Sequence, residues 1–158
     1  MPRLAILLAA LLLTGCSTAT TPAPAASAPS ATATSASPTP QRDGATIADS
    51  IKQPTTTKVV TITAANDPNG KIGTATGYVS AAIIYDAGVT CDSLGVDCGA
   101  TIEVYATADL AKARADYIKA FSGVADEVDT VNGAAVLRAA GKLPAATATA
   151  YAQAFSKG

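Results

Sequence analysis

The sequence predicts an α+β domain in which an antiparallel sheet of four to five strands carries two helices packed on one face. Two observations support this class. Segments that alternate apolar and polar residues, as half-buried strands do, lie on both sides of a segment with the apolar period of a helix. An Asn-Gly pair between two of the alternating segments is a strong hairpin signal. The order strand, hairpin, helix, hairpin, helix favours a split βαβ-like topology, with an open meander as the alternative.

Three strands are predicted before the first helix. Residues 57–63 are dense in β-branched side chains, which favour strands, and the turn-forming run Asn-Asp-Pro-Asn-Gly follows shortly after them. Residues 79–86 and residues 100–106 alternate apolar with polar side chains. We expect these last two strands to pair as a hairpin.

The most regular helix pattern covers residues 108–121, with Thr107 as a suitable N-cap and Asp109 near the positive end of the helix dipole. One apolar stripe is predicted to face the sheet: Leu110, Ala113, Tyr117, Ile118 and Phe121. The charged side chains of the helix are predicted to point to solvent: Lys112, Arg114, Asp116 and Lys119.

A second hairpin and a second helix complete the predicted domain. Residues 126–131 and 134–139 flank the Asn132-Gly133 pair, whose two positions suit the positive φ angles of a tight turn. Pro144 is well placed to open a final helix, because its ring fixes φ near the helical value. Apolar residues at helical spacing follow it: Ala148, Tyr151, Ala152 and Phe155.

The N-terminus has the pattern of a signal peptide over residues 1–15, with Arg3 followed by an unbroken apolar run over residues 4–13. The run is too short for a membrane-spanning helix, which needs about 20 apolar residues. It ends in Leu-Thr-Gly-Cys at residues 13–16, which matches a lipobox: an apolar residue, two small residues and the cysteine that receives the lipid.

We therefore expect Cys16 to be lipidated and to become the first residue of the mature protein. Two or three acyl chains on one cysteine would hold the chain firmly at the cell membrane, on its extracytoplasmic face. The alternative is an ordinary secretory signal followed by a chance cysteine.

Residues 17–40 contain only Ala, Ser, Thr and Pro, so they hold no side chains from which a core could form. We expect residues 16–42 to be the lipidated cysteine and a disordered linker, and residues 43–158 to be the folded domain. Two states of the linker stay open: a bare chain, extended in part by its prolines, or a chain glycosylated on Ser and Thr.

Cys91 and Cys98 are predicted to form a disulfide, because six intervening residues give a comfortable loop and the predicted compartment is oxidising. The alternative, a metal-binding or redox pair, is disfavoured because the spacing is not Cys-x-x-Cys and the chain contains no histidine. The sequence therefore predicts no metal and no cofactor.

Residue types that commonly carry catalysis are scarce in this chain. It has no histidine, and neither Gly-x-Ser-x-Gly nor Ser-x-x-Lys occurs. Asp126, Glu127 and Asp129 could supply a carboxylate pair, but a solvated strand entering a turn explains them more simply. Asp67 begins a run with a slight likeness to a calcium loop, for which an Asx turn is the simpler explanation. The sequence thus predicts a protein that is not an enzyme.

The charge pattern restricts the partners. The net charge is −1, from 11 Lys and Arg against 12 Asp and Glu, and the basic residues form no cluster, which argues against nucleic acid. Tyr78, at the end of the long loop 66–78, and Tyr105 are predicted to form a contact surface, because tyrosine is enriched at interfaces. The alternative is that each tyrosine covers an edge of the core.

Five features occur together in this chain: the lipobox, the Ala/Ser/Thr/Pro tether, Asp-Pro-Asn at residues 67–69, GVDCGATIEVY at residues 95–105 and ADLAKARADYI at residues 108–118. In these features the chain resembles a group of small lipoproteins from actinobacteria. The resemblance implies a lipid-anchored extracytoplasmic domain. It implies no catalytic residues, because the group has no established activity. The chain departs from the group at Leu143, where a capping Thr is expected.

We therefore expect a non-enzymatic binding module of the cell envelope, held at the membrane through Cys16, whose partner is an envelope protein or another envelope component. The alternative is a small-ligand carrier or enzyme with a pocket between sheet and helices, where Ala82, Ala113 and Ala135 would leave room. A structural spacer without a specific partner is the third hypothesis.

Overall fold

The computed structural model describes residues 41–121 and 126–158, all of which belong to one compact unit, Pro38–Gly158. The predicted signal peptide, Cys16 and the linker up to residue 40 lie outside the described residues. The domain boundary at residue 43 also stays a prediction. Within the two described ranges, no helix combines the length and the apolar character needed to cross a membrane.

The described residues form a five-stranded sheet with the order β1-β2-β3-β5-β4, in which every neighbouring pair is antiparallel. The strands are β1 (Thr56–Ile62), β2 (Ser80–Asp86), β3 (Gly99–Val104), β4 (Val128–Asn132) and β5 (Ala135–Ala139). Strands β3 and β4 both run antiparallel to the β5 strand between them, so they are parallel to each other. The helix that joins them therefore completes a split βαβ unit.

Three α-helices accompany the sheet in the described residues: α1 (Gly44–Ser50), α2 (Ala108–Lys119) and α3 (Ala145–Lys157). The predicted α+β class is confirmed, as are both hairpins and the two helices that the apolar period indicated. Helix α1 was not predicted, because its seven residues are too few to show a helical repeat. Its start is fixed by Asp43, whose side chain accepts a hydrogen bond from the backbone N–H of Thr46 at 2.9 Å.

Two backbone irregularities fit the sequence. Gly133 has a φ of 57° in the tight turn between β4 and β5, whereas Asn132, which was expected at the other turn position with positive φ, ends β4 and pairs with Ala135. Strand β1 lies at one edge of the sheet and contains a bulge, because its register with β2 shifts between Thr56 and Lys58.

The sheet is apolar on both faces, which corrects the expectation that both predicted helices pack on one face. Ala82 and Ile84 of β2 belong to a core beneath α1 and α3, whereas their neighbours Ala81 and Ile83 belong to a second core on the opposite face. Helix α2 packs on that second face. Because aliphatic side chains project from both faces of the sheet, each face must pack against other elements to be shielded from water. Helices α2 and α3 therefore lie on opposite sides of the sheet.

The side of α2 that faces the sheet also differs from the prediction. Ala111, Ala115 and Ile118 are the buried residues of this helix, whereas Tyr117 and Phe121 are 59% and 54% exposed. The small alanine side chains allow the helix to approach the sheet closely. This rotation turns the larger rings of the expected stripe to solvent.

Candidate functional site

The connection between β2 and β3 is closed by the predicted disulfide, which is confirmed. Cys91 and Cys98 are bonded, with 4.9 Å between their Cα atoms, and Cys98 is buried in the second core. A short 3₁₀ helix, Val96–Cys98, leads directly into β3. The disulfide loop therefore covers part of the same sheet face as α2.

The connection between β1 and β2 is organised by the carboxylate of Asp67. It accepts hydrogen bonds from the backbone N–H groups of Asn69 at 2.9 Å and Ile72 at 2.8 Å, and from the hydroxyl of Tyr78. These donors, with Lys71 N–H at 2.5 Å, lower the pKa of Asp67 although burial alone would raise it. The Asx turn is confirmed, and the oxygens of Asp67 already bond protein donors.

Gly77 lets this connection fold back on itself. A Cβ atom at Gly77 would lie 1.8 Å from the carbonyl oxygen of Lys71, a distance that no larger residue can accept without moving the backbone. Gly77 N–H in turn donates to the carbonyl of Thr74 at 3.0 Å. The connection is thus held as a compact wall beside α2.

The sheet face beneath α2 carries a set of charged side chains, here named the buried charge cluster: Glu103, Arg114, Glu127, Asp129 and Arg138. Glu103 of β3 is 0% exposed and accepts from Arg114 Nε at 2.9 Å, Arg114 Nη2 at 3.2 Å and Arg138 Nη1 at 3.0 Å. Arg138 also donates to both carboxylate oxygens of Glu127, at 2.8 and 2.9 Å. The Glu103 carboxylate and the Arg138 guanidinium therefore each hold two partners of opposite charge.

Electrostatics keep the centre of the cluster ionised. Burial alone would raise the pKa of Glu103, but the hydrogen bonds and charge of Arg114, together with the charge of Arg138, outweigh it and hold that pKa below its usual value. The hydroxyl of Tyr105 donates to Glu103 at 2.7 Å. Burial, and then the negative charge of Glu103, raise the pKa of Tyr105, so this hydroxyl stays a donor.

Asp129 is the exception within the cluster. Its Oδ1 atom is buried and has no hydrogen-bond partner among the described residues. Burial, and then the nearby Glu127 carboxylate, raise the pKa of Asp129 to about 6. The expected solvated strand is therefore wrong for Glu127 and Asp129, because both side chains lie against Arg138 and the sheet rather than in water.

A groove of about 600 Å³ runs between the β1–β2 connection and helix α2, and we name it the α2 groove. The connection contributes one wall: Asn69, Lys71, Thr76 and Gly77. The helix contributes the other wall, with Tyr105 between the two: Leu110, Ala113, Arg114 and Tyr117. This volume is large enough for a small organic molecule, for which sites of about 300 to 1,000 Å³ are usual.

Two exposed aromatic rings adjoin this groove: Tyr117 lines it, and Phe121 contacts the Tyr117 ring. Tyr117 and Phe121 lie one helical turn apart with ring centroids 4.9 Å from each other. The guanidinium of Arg114 lies 5.8 Å from the centre of the Tyr117 ring, so the same cation contacts the buried charge cluster and the groove. Such rings exposed beside a concavity are typical of a binding surface.

The predicted contact surface at Tyr78 and Tyr105 is wrong. Both tyrosines are 2% exposed, and their rings pack edge to face with centroids 6.2 Å apart. Each hydroxyl donates to a carboxylate, Asp67 for Tyr78 and Glu103 for Tyr105, which is why the rings can be buried. They cover the core edge, as the alternative proposed, and Tyr105 also supports the groove from beneath.

Sequence reasoning missed the charged residues that matter most in this region. Arg114 was expected in solvent, and Glu103 was assigned no role, yet they form a buried pair. One signal was present: Glu103 is the one charged residue in the strand GATIEV, between Ile102 and Val104, and in the structure all six residues of that strand are buried. A carboxylate in such a strand requires a cationic partner from another element.

Comparisons with known proteins identify no relative: no protein-family model, no curated protein and no solved structure matches the chain. The resemblance to actinobacterial lipoproteins therefore stays a prediction. Within residues 41–121 and 126–158, no group of three or more Cys, Asp or Glu side chains could hold a metal ion.

Proposed function

We propose that this protein is a lipid-anchored, non-enzymatic binding protein of the cell envelope that uses the α2 groove and its rim as the contact surface. The observation that carries the proposal is the groove itself, with Tyr117 and Phe121 exposed beside it. Aromatic side chains are enriched where proteins bind partners, and exposing two of them in solvent is otherwise unfavourable.

The chemistry of the described residues supports binding rather than catalysis. The two cysteines of the domain are joined, and the carboxylates of Glu103 and Glu127 are held by arginine. The chain has no histidine to act as a general base near neutral pH. These groups favour a rigid scaffold around the groove.

The anchor is proposed from the sequence at residues 13–16. Substitution Cys16→Ser should move the protein from the membrane fraction to the soluble fraction, because no acyl chain could then be attached. The neighbouring Ser17→Ala variant is the matched control and should stay with the membrane. Retention of the Cys16→Ser variant on the membrane would remove the anchor from the proposal.

The contact surface is tested by affinity capture from envelope extract. The double variant Tyr117→Ala/Phe121→Ala should lose the species that the parent protein retains. The control is Val128→Ala/Val131→Ala, which removes two other exposed apolar side chains from edge strand β4. Equal retention by the parent and the Tyr117/Phe121 variant would contradict the groove as the contact surface.

A small-ligand carrier is the second candidate, because the groove volume of about 600 Å³ lies in the range of small-molecule sites. Native mass spectrometry of the protein purified from its own envelope distinguishes the candidates. A small molecule released on unfolding would favour the carrier, and a retained macromolecule would favour the interaction module.

A further inference from the structure

We infer that the α2 groove binds a small amphipathic anion, a molecule with an apolar body and one carboxylate, sulfonate or phosphate group. This inference rests on the proposed function, since it names the class of ligand for the same site. It depends on three properties of the groove: the positive charge of its walls, the hydrogen-bond donors there that have no acceptor among the described residues, and the apolar surface between the walls.

Among the described residues, the walls of the groove include two cationic side chains and no acidic one. Lys71 stands on the connection and Arg114 on the helix, and no Asp or Glu is among the described lining residues. A ligand cation would therefore meet two like charges, whereas an anion would meet two opposite ones. Charge complementarity of this kind selects the sign of the bound group.

Donors remain open on both walls. Glu103 occupies Nε and Nη2 of Arg114 from the sheet side, and no acceptor among the described residues contacts Nη1. No carboxylate of the described residues lies within ion-pairing distance of Lys71 Nζ. One anionic group can therefore accept from either cation without displacing the Arg114–Glu103 pair.

The rest of the groove is suited to an apolar body. Leu110 and Ala113 line the helix wall, and the ring of Tyr117 extends it toward solvent. Ala113 is exposed to the groove and too small to fill it. A ring or short hydrocarbon chain would cover these side chains, which solvent otherwise contacts.

The test uses two fluorescent probes that differ in one group. 1-Anilinonaphthalene-8-sulfonate is an anion, and N-phenyl-1-naphthylamine is its uncharged counterpart. The full chain with Cys16→Ser is titrated with each, so that no lipid attached to Cys16 contributes to the signal. We expect the anion to bind about tenfold more tightly, the effect of a hydrogen bond to a charged group.

Two pairs of variants locate the binding. Ala113→Phe fills the groove and should abolish binding of both probes, whereas Ala146→Phe adds the same ring to the exposed surface of α3 and should not. Lys71→Ala should weaken the sulfonate about tenfold and leave the uncharged probe unchanged. Lys142→Ala removes an exposed cation outside the groove and should change neither.

The outcomes separate the inference from the proposed function. Equal affinity for both probes, with loss of both in Ala113→Phe, overturns the preference for anions and keeps the groove as a binding site. Sulfonate binding that survives Ala113→Phe, or the absence of sulfonate binding, overturns the inference itself. The capture experiment with the Tyr117→Ala/Phe121→Ala variant decides the proposed function independently of these results.

Discussion

The two faces of the sheet are built from different chemistry. The face beneath α1 and α3 is covered by aliphatic and aromatic side chains, and its polar features include the buried carboxylate of Asp86 and the hydroxyl of Tyr151, which donates to it at 2.8 Å. The face beneath α2 holds the buried charge cluster, two further buried tyrosines and the disulfide. One domain therefore combines a mostly apolar interior, which holds the carboxylate of Asp86, with one that holds several buried ion pairs.

This difference indicates how stability and recognition are divided. Apolar burial contributes free energy of folding roughly in proportion to area. Buried ion pairs contribute little net stability, because desolvation opposes their attraction, although breaking one is costly. We therefore expect the α1–α3 face to supply most of the stability, and the α2 face to hold a few side chains in defined positions beside the groove.

The largest expected effect comes from breaking the buried charge cluster at its centre. Glu103→Ala leaves Arg114 and Arg138 without their shared carboxylate and should lower the free energy of unfolding by about 4 kcal/mol. Urea denaturation measures it, and Asp49→Ala, which breaks an exposed ion pair, is the control with little expected change. A small loss in Glu103→Ala would mean that the cluster is open to water.

Removal of the disulfide tests whether the α2 face needs a covalent restraint to be stable. Replacing Cys91 and Cys98 by Ser should lower stability by about 2.5 kcal/mol, the value that loop entropy gives for a short loop. Hydrogen exchange should accelerate in the β2–β3 connection and remain slow in α3. Uniform acceleration in both regions would show that the two faces unfold together.

Tyr151→Phe probes the polar feature of the apolar face. The variant loses the hydroxyl that bonds Asp86 and Thr56, so we expect a loss of about 1 kcal/mol in thermal or urea unfolding. Tyr117→Phe removes a hydroxyl from an exposed ring and should be neutral within about 0.5 kcal/mol. Equal losses in the two variants would contradict the contrast between buried and exposed hydroxyls.

Asp129 gives the most specific effect, a pH dependence. Its pKa in the folded protein is raised to about 6, so the folded state binds the proton more tightly than the unfolded chain does. The stability from Asp129 is therefore present at low pH and is lost as pH rises toward and through about 6. Asp129→Asn removes this loss, so its stability relative to the parent should rise between about pH 4 and pH 7.

The control for this pH dependence is Asp116→Asn on the exposed side of α2. Its carboxylate pairs with Lys112, and the pKa of Asp116 is lowered by that hydrogen bond, so the sign of any pH dependence is opposite. A difference between Asp129→Asn and the parent that does not grow with pH would contradict the raised pKa.

The fold was largely predictable because its signals are local. The Asn-Gly turn, the apolar alternation in β2 and β3, and the helical period of α2 and α3 each depend on residues close in sequence. Helix α1 was not predicted, because a helix of two turns is too short to show the apolar period on which the prediction depends. The side on which α2 packs was not predictable, since it depends on the sheet being apolar on both faces.

The candidate site was predicted poorly, for a related reason. Its geometry arises from residue pairs that are distant in sequence, such as Glu103 with Arg138. One sequence by itself does not indicate which distant residues will be in contact. Tyrosine enrichment at interfaces favoured Tyr78 and Tyr105, but carboxylate partners allow both to be buried. The exposed rings proved to be those that the helical period had assigned to the core, Tyr117 and Phe121.

The bulge in β1 affects whether two copies of the protein can pair through the edges of their sheets. A regular edge strand offers a row of unpaired N–H and C=O groups to which a second chain can add. The shift between Thr56 and Lys58 interrupts that row and places a lysine beside it. If many copies share one membrane, as the proposed anchor implies, this edge resists joining sheet to sheet at the high local concentration that anchoring creates.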